Sequence, residues 1–539
     1  MTDTVELANS IHQFLLTPAA YPDHPRRVEL KETHISWIYL TDRYAYKQKK
    51  PVKFEFLDFS TLAKREHYCQ QEVTLNRRFS PDVYLGVTPV SRDRTGEYRL
   101  KPGDEIVEWL VRMVRLDDDT TLENMIREDH LTSTHVDQLS QTLTSFYGAQ
   151  APVMIRSNGF LQHLQHHVEA NRNDLLALQP DHANQTHFAT NAQLRCLALN
   201  QSHFLQRVAD GRVVDGHGDL RPEHIYFRRS GPSIMDCIEF NAEYRTNDVI
   251  DELSFLAMEC DRLGRDEIGR AVIDSYLAAT SDEPQAFLEQ FYRCYRACVR
   301  AKVAALRADQ THTAASRATA DDYLQLAMRY AEQLSPKLVI IIGGLSGTGK
   351  STLAAALQAP FAAEVLRTDV LRDEVLGTKV ADKAISSATA ARPPSADELA
   401  RRNGHQNGHA KYSAAARQRV YEAMLDRMTG CLQKSPTLLL DGTFPTRALR
   451  ESVIERAAEL GASVLQVQCE CPASEARNRI ASRINNGGDA SEAQPWLLDQ
   501  QVLNYEAMDN SAPLVRINTM QPLSQQVSKV QDLYAKTLG

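Results

Sequence analysis

Residues 337–352 read KLVIIIGGLSGTGKST. The run Leu338 to Ile342 is uninterrupted aliphatic, short, and bounded by a proline before and glycines after, the pattern of a strand buried on both faces. From Gly344 the chain reads Gly344-Leu345-Ser346-Gly347-Thr348-Gly349-Lys350-Ser351, a full match to G-x-x-x-x-G-K-[ST], and a good helix-forming run follows at Thr352-Leu353-Ala354. Strand, glycine loop and helix in that order are the context in which such a motif cradles phosphates. The glycines let backbone N–H groups close around the anion. Lys350 reaches the outer phosphate oxygens, the Ser351 hydroxyl is a Mg²⁺ ligand, and the helix end adds partial positive charge. Ser346, Thr348 and Thr352 complete the nucleotide-binding set.

Further apolar strands at Glu364–Leu366, Thr437–Leu440 and Ser463–Cys469 alternate with helical segments. Alternation of this kind predicts a parallel sheet covered on both faces, a three-layer α/β/α unit over 337–539. Asp369 and Arg372 follow the strand after the phosphate loop. The carboxylate suits a general base toward a hydroxyl and the guanidinium an anion clamp; a surface ion pair one turn apart is the plainer reading. Asp441 ends the strand TLLLD, where a second Mg²⁺-orienting carboxylate belongs, or a turn cap. Arg477, Arg479 and Arg483 lie on a helix ahead of the loop NNGGDASEA, placed either as lid arginines over a triphosphate or as a solvated face. Residues 377–410 are rich in Ala, Ser, Gly and His and read as an exposed, mobile insertion.

The first part of the chain is patterned differently. THISWIYL and YAYK flank a turn at Thr41-Asp42-Arg43, residues 61–79 have helical spacing, 105–116 is a buried strand, and 136–207 and 250–309 are mainly helical. A hairpin turn is expected at Asp210-Gly211. Two carboxylate segments stand out: His217-Gly218-Asp219-Leu220-Arg221-Pro222-Glu223-His224, and, a dozen residues on, Asp236-Cys237-Ile238-Glu239-Phe240 on a strand-like piece spanning Ser233 to Phe240. One carboxylate to orient a hydroxyl and another to hold a metal is the pairing that phosphoryl transfer uses. Asp248, Asp251 and Glu252 are placed to cap the next helix and brace the loop against arginines, and Tyr295, Arg296, Arg300 and Lys302 line one helix face.

On these motifs the C-terminal part resembles the small P-loop kinases, among them gluconate kinase, chloramphenicol phosphotransferase, zeta toxin and polynucleotide kinase. The resemblance implies transfer of the γ-phosphate of ATP to a hydroxyl, with Asp369 as base and Arg479 or Arg483 as lid arginine. Residues 30–310 resemble the aminoglycoside phosphotransferase and choline kinase group. That resemblance implies a bilobal protein-kinase-like fold, Asp219 as catalytic base, Asp236 as metal carboxylate with Glu239 as second candidate, and an ATP-anchoring Lys47 paired with Glu72, Lys49 being the runner-up. It places the adenine-binding hinge at Val107 to Met113. His224 stands where that group has a metal-binding asparagine, so it is either a ligand for a softer metal, a phosphate contact or structural. No glycine occurs in 34–46, leaving His34 and Ser36 as candidate phosphate donors there.

The expected architecture is therefore an α/β and α+β two-domain chain: a kinase-like domain over 1–330, a linker at 331–336, and the P-loop domain over 337–539. The expected activity is ATP- and Mg²⁺-dependent phosphorylation of a small hydroxyl-bearing molecule, with a possible second kinase site N-terminal. The alternatives are a nucleotide-sensing regulator whose first half gates the second, or a polynucleotide or nucleotide-sugar kinase. The 539 residues carry 61 Lys and Arg against 69 Asp and Glu, net −8, and no aromatic platform is interleaved with basic residues, so nucleic acid is an unlikely partner. The nine cysteines lack C-x-x-C spacing, no run is long enough to span a membrane, and the first 18 residues carry Asp3 and Glu6 instead of a basic leader. A cytoplasmic protein with reduced thiols is expected.

Overall fold

The alternating pattern of the first hundred residues becomes an antiparallel sheet, and the aliphatic runs after residue 337 become a parallel one. In the computed structural model, residues 2–54, 57–376, 411–486 and 494–538 are described. Their contacts separate two compact units, Met1–Phe160 with His203–Arg296, and Leu161–Ser202 with Ala297–Gly539. The expected linear boundary near 330 runs differently: contacts group residues 161–202 and 297–330 with the P-loop unit. Residues 331–334 belong to the helix Ala314–Leu334, and only Ser335-Pro336-Lys337 separates it from the next strand. The expected mobile insertion at 377–410 and most of the loop after Arg483 lie outside the described residues.

In the first unit, β1 (Glu29–Glu32), β2 (Ser36–Leu40), β3 (Tyr44–Lys49), β4 (Tyr84–Arg92), β5 (Tyr98–Arg99) and β6 (Glu105–Val114) form one sheet in the order β1-β2-β3-β6-β4-β5. The helix Leu62–Asn76, capped by the Thr61 hydroxyl, packs Cys69 and Val73 onto Ala45, Val111 and Met113 of the sheet. The second lobe is helical. It carries short strands β7 (Val213–Asp215), β8 (Ile225–Arg228), β9 (Gly231–Ile234) and β10 (Thr246–Asp248), paired β10-β7 and β8-β9. These bracket both carboxylate segments.

Three expectations are corrected here. The stretch Val107 to Met113 is not a hinge. β6 is paired with β4 from Glu105 to Met113 and with β3 from Leu110 to Val114, so its second half is bonded on both edges, and the chain leaves the sheet only after Val114. Asp210-Gly211 is not a hairpin turn but the end of the helix Gln201–Ala209: Gly211, at φ +69°, and Arg212 donate back to Val208 and Arg207. The strand expected over Ser233 to Phe240 stops at Ile234, because Asp236 adopts φ +64°, a left-handed conformation that no strand accommodates.

The second unit holds β11 (Leu338–Gly343), β12 (Glu364–Arg367), β13 (Thr437–Asp441), β14 (Ser463–Glu470) and β15 (Leu514–Asn518), all parallel, in the order β12-β13-β11-β14-β15. Helices cover both faces. Val339 and Ile341 face the cluster with Tyr421, Met424 and Met428, and Ile340 and Ile342 face Leu353, Leu357 and Phe361. The buried Arg195, on the helix Ala183–Leu199, donates to the Ser335 hydroxyl (3.2 Å), the Thr437 hydroxyl (2.8 Å) and the Pro336 carbonyl (2.9 Å), at the start of β11 and β13. None of the nine cysteines is joined in a disulfide. Among the described residues no helix is long and apolar enough to cross a membrane.

Candidate functional site

At the carboxyl end of β11 the chain turns through Gly344 (φ +135°), Gly347 (φ +80°) and Gly349 (φ +88°) into the helix Lys350–Gln358. These glycines are required by space as well as by φ. A Cβ at Gly344 would lie 2.4 Å from the Cys469 carbonyl oxygen, and one at Gly347 would lie 2.5 Å from that of Ala476. Ser346, Gly347, Gly349, Lys350, Ser351 and Thr352 line a cavity. Thr348 is turned inward, its hydroxyl donating to the Leu345 carbonyl at 2.8 Å, so it shapes the loop. Lys350 donates to the same carbonyl at 2.7 Å. Burial pulls its pKa down, partly offset by Asp441.

The cavity opens beyond the strand ends, where an open parallel sheet places its ligands. Asp441, the last residue of β13, is buried. Its charged form is favoured by the nearby Ser351 hydroxyl, and it accepts from Arg367 Nε at 3.2 Å. Burial raises its pKa, against Lys350, Ser351 and Arg367, which favour the anion. Asp369, in the first turn of the helix Thr368–Val375, lines the same cavity and pairs with Arg372, whose guanidinium lies 4.7 Å from the Tyr412 ring centroid. A hydroxyl and a carboxylate converging at the phosphate loop form an oxygen-only donor set, which fits Mg²⁺.

The three arginines of the helix Ala473–Asn486 separate. Arg483 lines the cavity. Arg479 is held by Glu475 (2.8 Å) and Thr519 (3.1 Å), with Nη1 3.3 Å from where a Cβ on Gly349 would sit, so it flanks the loop. Arg477 pairs with Asp499 at the surface. Among the cavity residues without any sequence signal are Gln501, whose Oε1 accepts from the Ser346 N–H at 2.8 Å, and Lys411, Tyr412 and Arg417, on and just before the helix Ala414–Leu432. They come from elements distant in sequence, and no local spacing marks them.

The first unit gathers a second constellation. Lys47 and Lys49, two apart on β3, share one face. Lys47 Nζ lies 2.9 Å from Glu72 and 2.6 Å from Asp236; Lys49 Nζ lies 2.6 Å from the other Glu72 oxygen and also pairs with Glu239. Glu239 is thus committed to a buried lysine. Burial opposes the charge of Glu72, but the two ammonium groups outweigh it and lower its pKa. Asp219 is held at two points by Arg221, Nε and Nη2 each at 2.9 Å. His224 Nδ1 is 2.9 Å from the Asp219 carbonyl, its Nε2 3.2 Å from Arg221 Nη2 and 3.7 Å from Asp236. Because a carbonyl only accepts, Nδ1 carries the proton. Asp236 with one imidazole is a mixed donor set that fits Mg²⁺ poorly. Among the described residues no group of three or more His, Cys, Asp or Glu converges as a metal site.

The loop itself is rigidly braced. Glu252 accepts from the backbone N–H of His217 (2.8 Å) and Gly218 (3.0 Å), and Arg296 grips Asp251 at 2.7 and 2.8 Å. Asp248 caps the helix Val249–Arg262 and pairs with Arg207. His217 is fully buried, bonded to the Met235 carbonyl and to the Asp219 N–H; burial pushes its pKa down to about 4. His34 is exposed at the β1–β2 turn, whereas Ser36 is buried within β2.

Residues 339–508 match the family model described as AAA domain. An uncharacterized protein of Mycobacterium tuberculosis is 28% identical over 476 residues, covering 86% of this chain and 88% of the relative, and one of Mycobacterium bovis gives the same values. Among solved structures, a sugar kinase from Janibacter sp. HTCC2649 is 18% identical, covering 38% of this chain and 96% of that one, with TM-score 0.27. A gluconokinase from Sinorhizobium meliloti is 17% identical, covering 37% and 93%, with TM-score 0.25. The GDP complex of aminoglycoside 2'-phosphotransferase-IIIa is 12% identical, covering 60% and 99%, with TM-score 0.33. The first unit is thus an antiparallel sheet joined to a helical lobe, and the second a parallel sheet covered by helices on both faces, similar over residues 339–508 to the AAA domain model.

Proposed function

We propose that the second unit is an ATP-dependent phosphotransferase acting on an alcohol. The observation that carries this reading is that Lys350, the Ser351–Asp441 pair and the Asp369–Arg372 pair line one cavity at the strand ends. Loop amides and Lys350 hold the polyphosphate. Ser351 and Asp441 would hold Mg²⁺, which when bound neutralises phosphate charge. Asp369 takes the proton of the acceptor hydroxyl as its oxygen attacks the γ-phosphorus; the bond to the bridging oxygen breaks and ADP leaves. Arg483 stabilises charge on the transferring group. Calorimetry with ATP, and a mass-shift screen of a metabolite library for one added phosphoryl group, test this. Lys350→Ala is expected to abolish both signals, and ATP uptake unaffected by that change refutes the proposal.

A second reading concerns the first unit. With Lys47 on Asp236 and Arg221 on both oxygens of Asp219, its carboxylates are internally neutralised, which suits a nucleotide sensor better than a second catalytic centre. Asp219→Asn distinguishes the two: a sensor changes nucleotide affinity without loss of phosphoryl transfer, whereas an enzyme loses transfer.

A further inference from the structure

Two donors of the phosphate loop are already engaged within the chain. Lys350 Nζ donates to the Leu345 carbonyl at 2.7 Å, a bond closed within the loop's own turn. The Ser346 N–H donates to Gln501 Oε1 at 2.8 Å, and that acceptor lies 155 residues further on, in the helix Pro495–Asn504. Apolar contact fixes the seat of this helix. Leu498 is buried with Ala476 and Ile480, and Leu345 of the loop packs against the same cluster. Gln501 lies three residues beyond Leu498, on the same helical face, so the packing that seats the leucine carries the glutamine to the loop. Beyond the helix the Glu506 N–H is bonded to the Pro445 carbonyl at 2.8 Å, which ties the segment down at its other end.

The amides of a glycine-rich loop are the groups that take phosphate oxygens. At the buried Ser346 a neutral carboxamide oxygen already sits on one of them. We infer that Gln501 is an internal competitor of the nucleotide: while the loop is empty its carboxamide satisfies the Ser346 amide, and an incoming polyphosphate displaces it. This rests on the phosphotransferase reading and adds a device that sets the affinity of that site. Rotation of the glutamine side chain suffices for the exchange, because Leu497 and Leu498 stay buried and hold the helix. The arrangement spares the chain an unsatisfied buried N–H in the empty state. It also eases product release, since the returning carboxamide reclaims the amide as ADP departs.

The test follows, by calorimetry on the full chain with Mg²⁺, the part of ATP and ADP binding that Lys350→Ala removes. Gln501→Ala is expected to tighten that binding roughly twofold to tenfold, the worth of one hydrogen bond no longer displaced. Gln501→Glu is expected to weaken it roughly tenfold, since a carboxylate grips the amide harder and repels phosphate. A glutamine that merely supports the loop gives a loss of affinity in Gln501→Ala; that result, or an unchanged affinity, overturns the inference. Hydrogen exchange of the nucleotide-free protein is the second measurement. The Ser346 amide should exchange faster in Gln501→Ala than in the wild type, with β11 unchanged, and equal exchange at Ser346 also overturns the inference. If no part of the binding depends on Lys350, the phosphotransferase reading itself fails, a result separate from any effect at Gln501.

Discussion

Lys47 and Lys49 show how much a two-residue period decides. Both project from the same face of β3, and both reach Glu72, so a single buried carboxylate answers two ammonium groups. Removing Glu72 therefore takes one of two carboxylate partners from each lysine, leaving Lys47 on Asp236 and Lys49 on Glu239. His217 gives a pH-dependent counterpart. Its pKa falls from 6.5 to about 4 on burial. The unfolded chain binds the extra proton first, so stability from this group is complete above pH 6.5 and is lost as pH falls toward 4. The full loss is on the order of 3 kcal/mol. Denaturant unfolding of wild type and His217→Gln between pH 7 and 4 should show the wild type losing more stability with acid; parallel curves contradict this. Residue types at the phosphate loop were readable because the chemistry admits few others. The pairing of Asp236 with Lys47, the left-handed backbone that aims it, and the cavity role of Arg417 were not, since each depends on chain segments brought together from far apart.

At the scale of elements, the aliphatic run into a glycine loop fixed β11 and the helix behind it, and residues 61–79 delivered the helix Leu62–Asn76. Two strands escaped. β4 contains Gly86 and Pro89, which read as breaks, and its register shifts at Tyr84/Gly86 are the irregularity these residues allow. β15 is five residues long with a charged Arg516 in its middle, tolerable because it pairs on one side only. The misplaced hinge has a related cause: periodicity reports which faces of a strand are buried, never which of its edges are bonded. The Arg195 cluster makes a prediction at this scale. Arg195→Met keeps the bulk but orphans the Thr437 hydroxyl and the Pro336 carbonyl, the Ser335 hydroxyl keeping its bond to the Ala192 carbonyl, and should destabilise the P-loop unit by about 3 kcal/mol. Chemical denaturation checks it. Arg195→Lys, with one donor centre for three acceptors, should not restore the loss.

For the whole molecule, the question is which unit takes up nucleotide. A ligand present at a hundred times its Kd protects the unit that binds it by about 2.7 kcal/mol. Hydrogen exchange with and without ATP should protect β11, β13 and the helix Lys350–Gln358, and Lys350→Ala should erase that protection. If Lys47→Met erases protection in β3 and the helix Leu62–Asn76 instead, the first unit is the principal binder and the assignment of roles reverses.

The three hydrogen bonds of Arg195 also set a schedule for synthesis. Its partner Thr437 lies 242 residues further along the chain. At ordinary elongation rates the ribosome needs roughly 12 to 50 seconds to cover that distance. Throughout that interval the nascent helix around Arg195 lacks the start of β13, one of the two strand ends on which it docks. Slow codons placed between these segments would prolong the vulnerable period, and the yield of folded protein should fall accordingly.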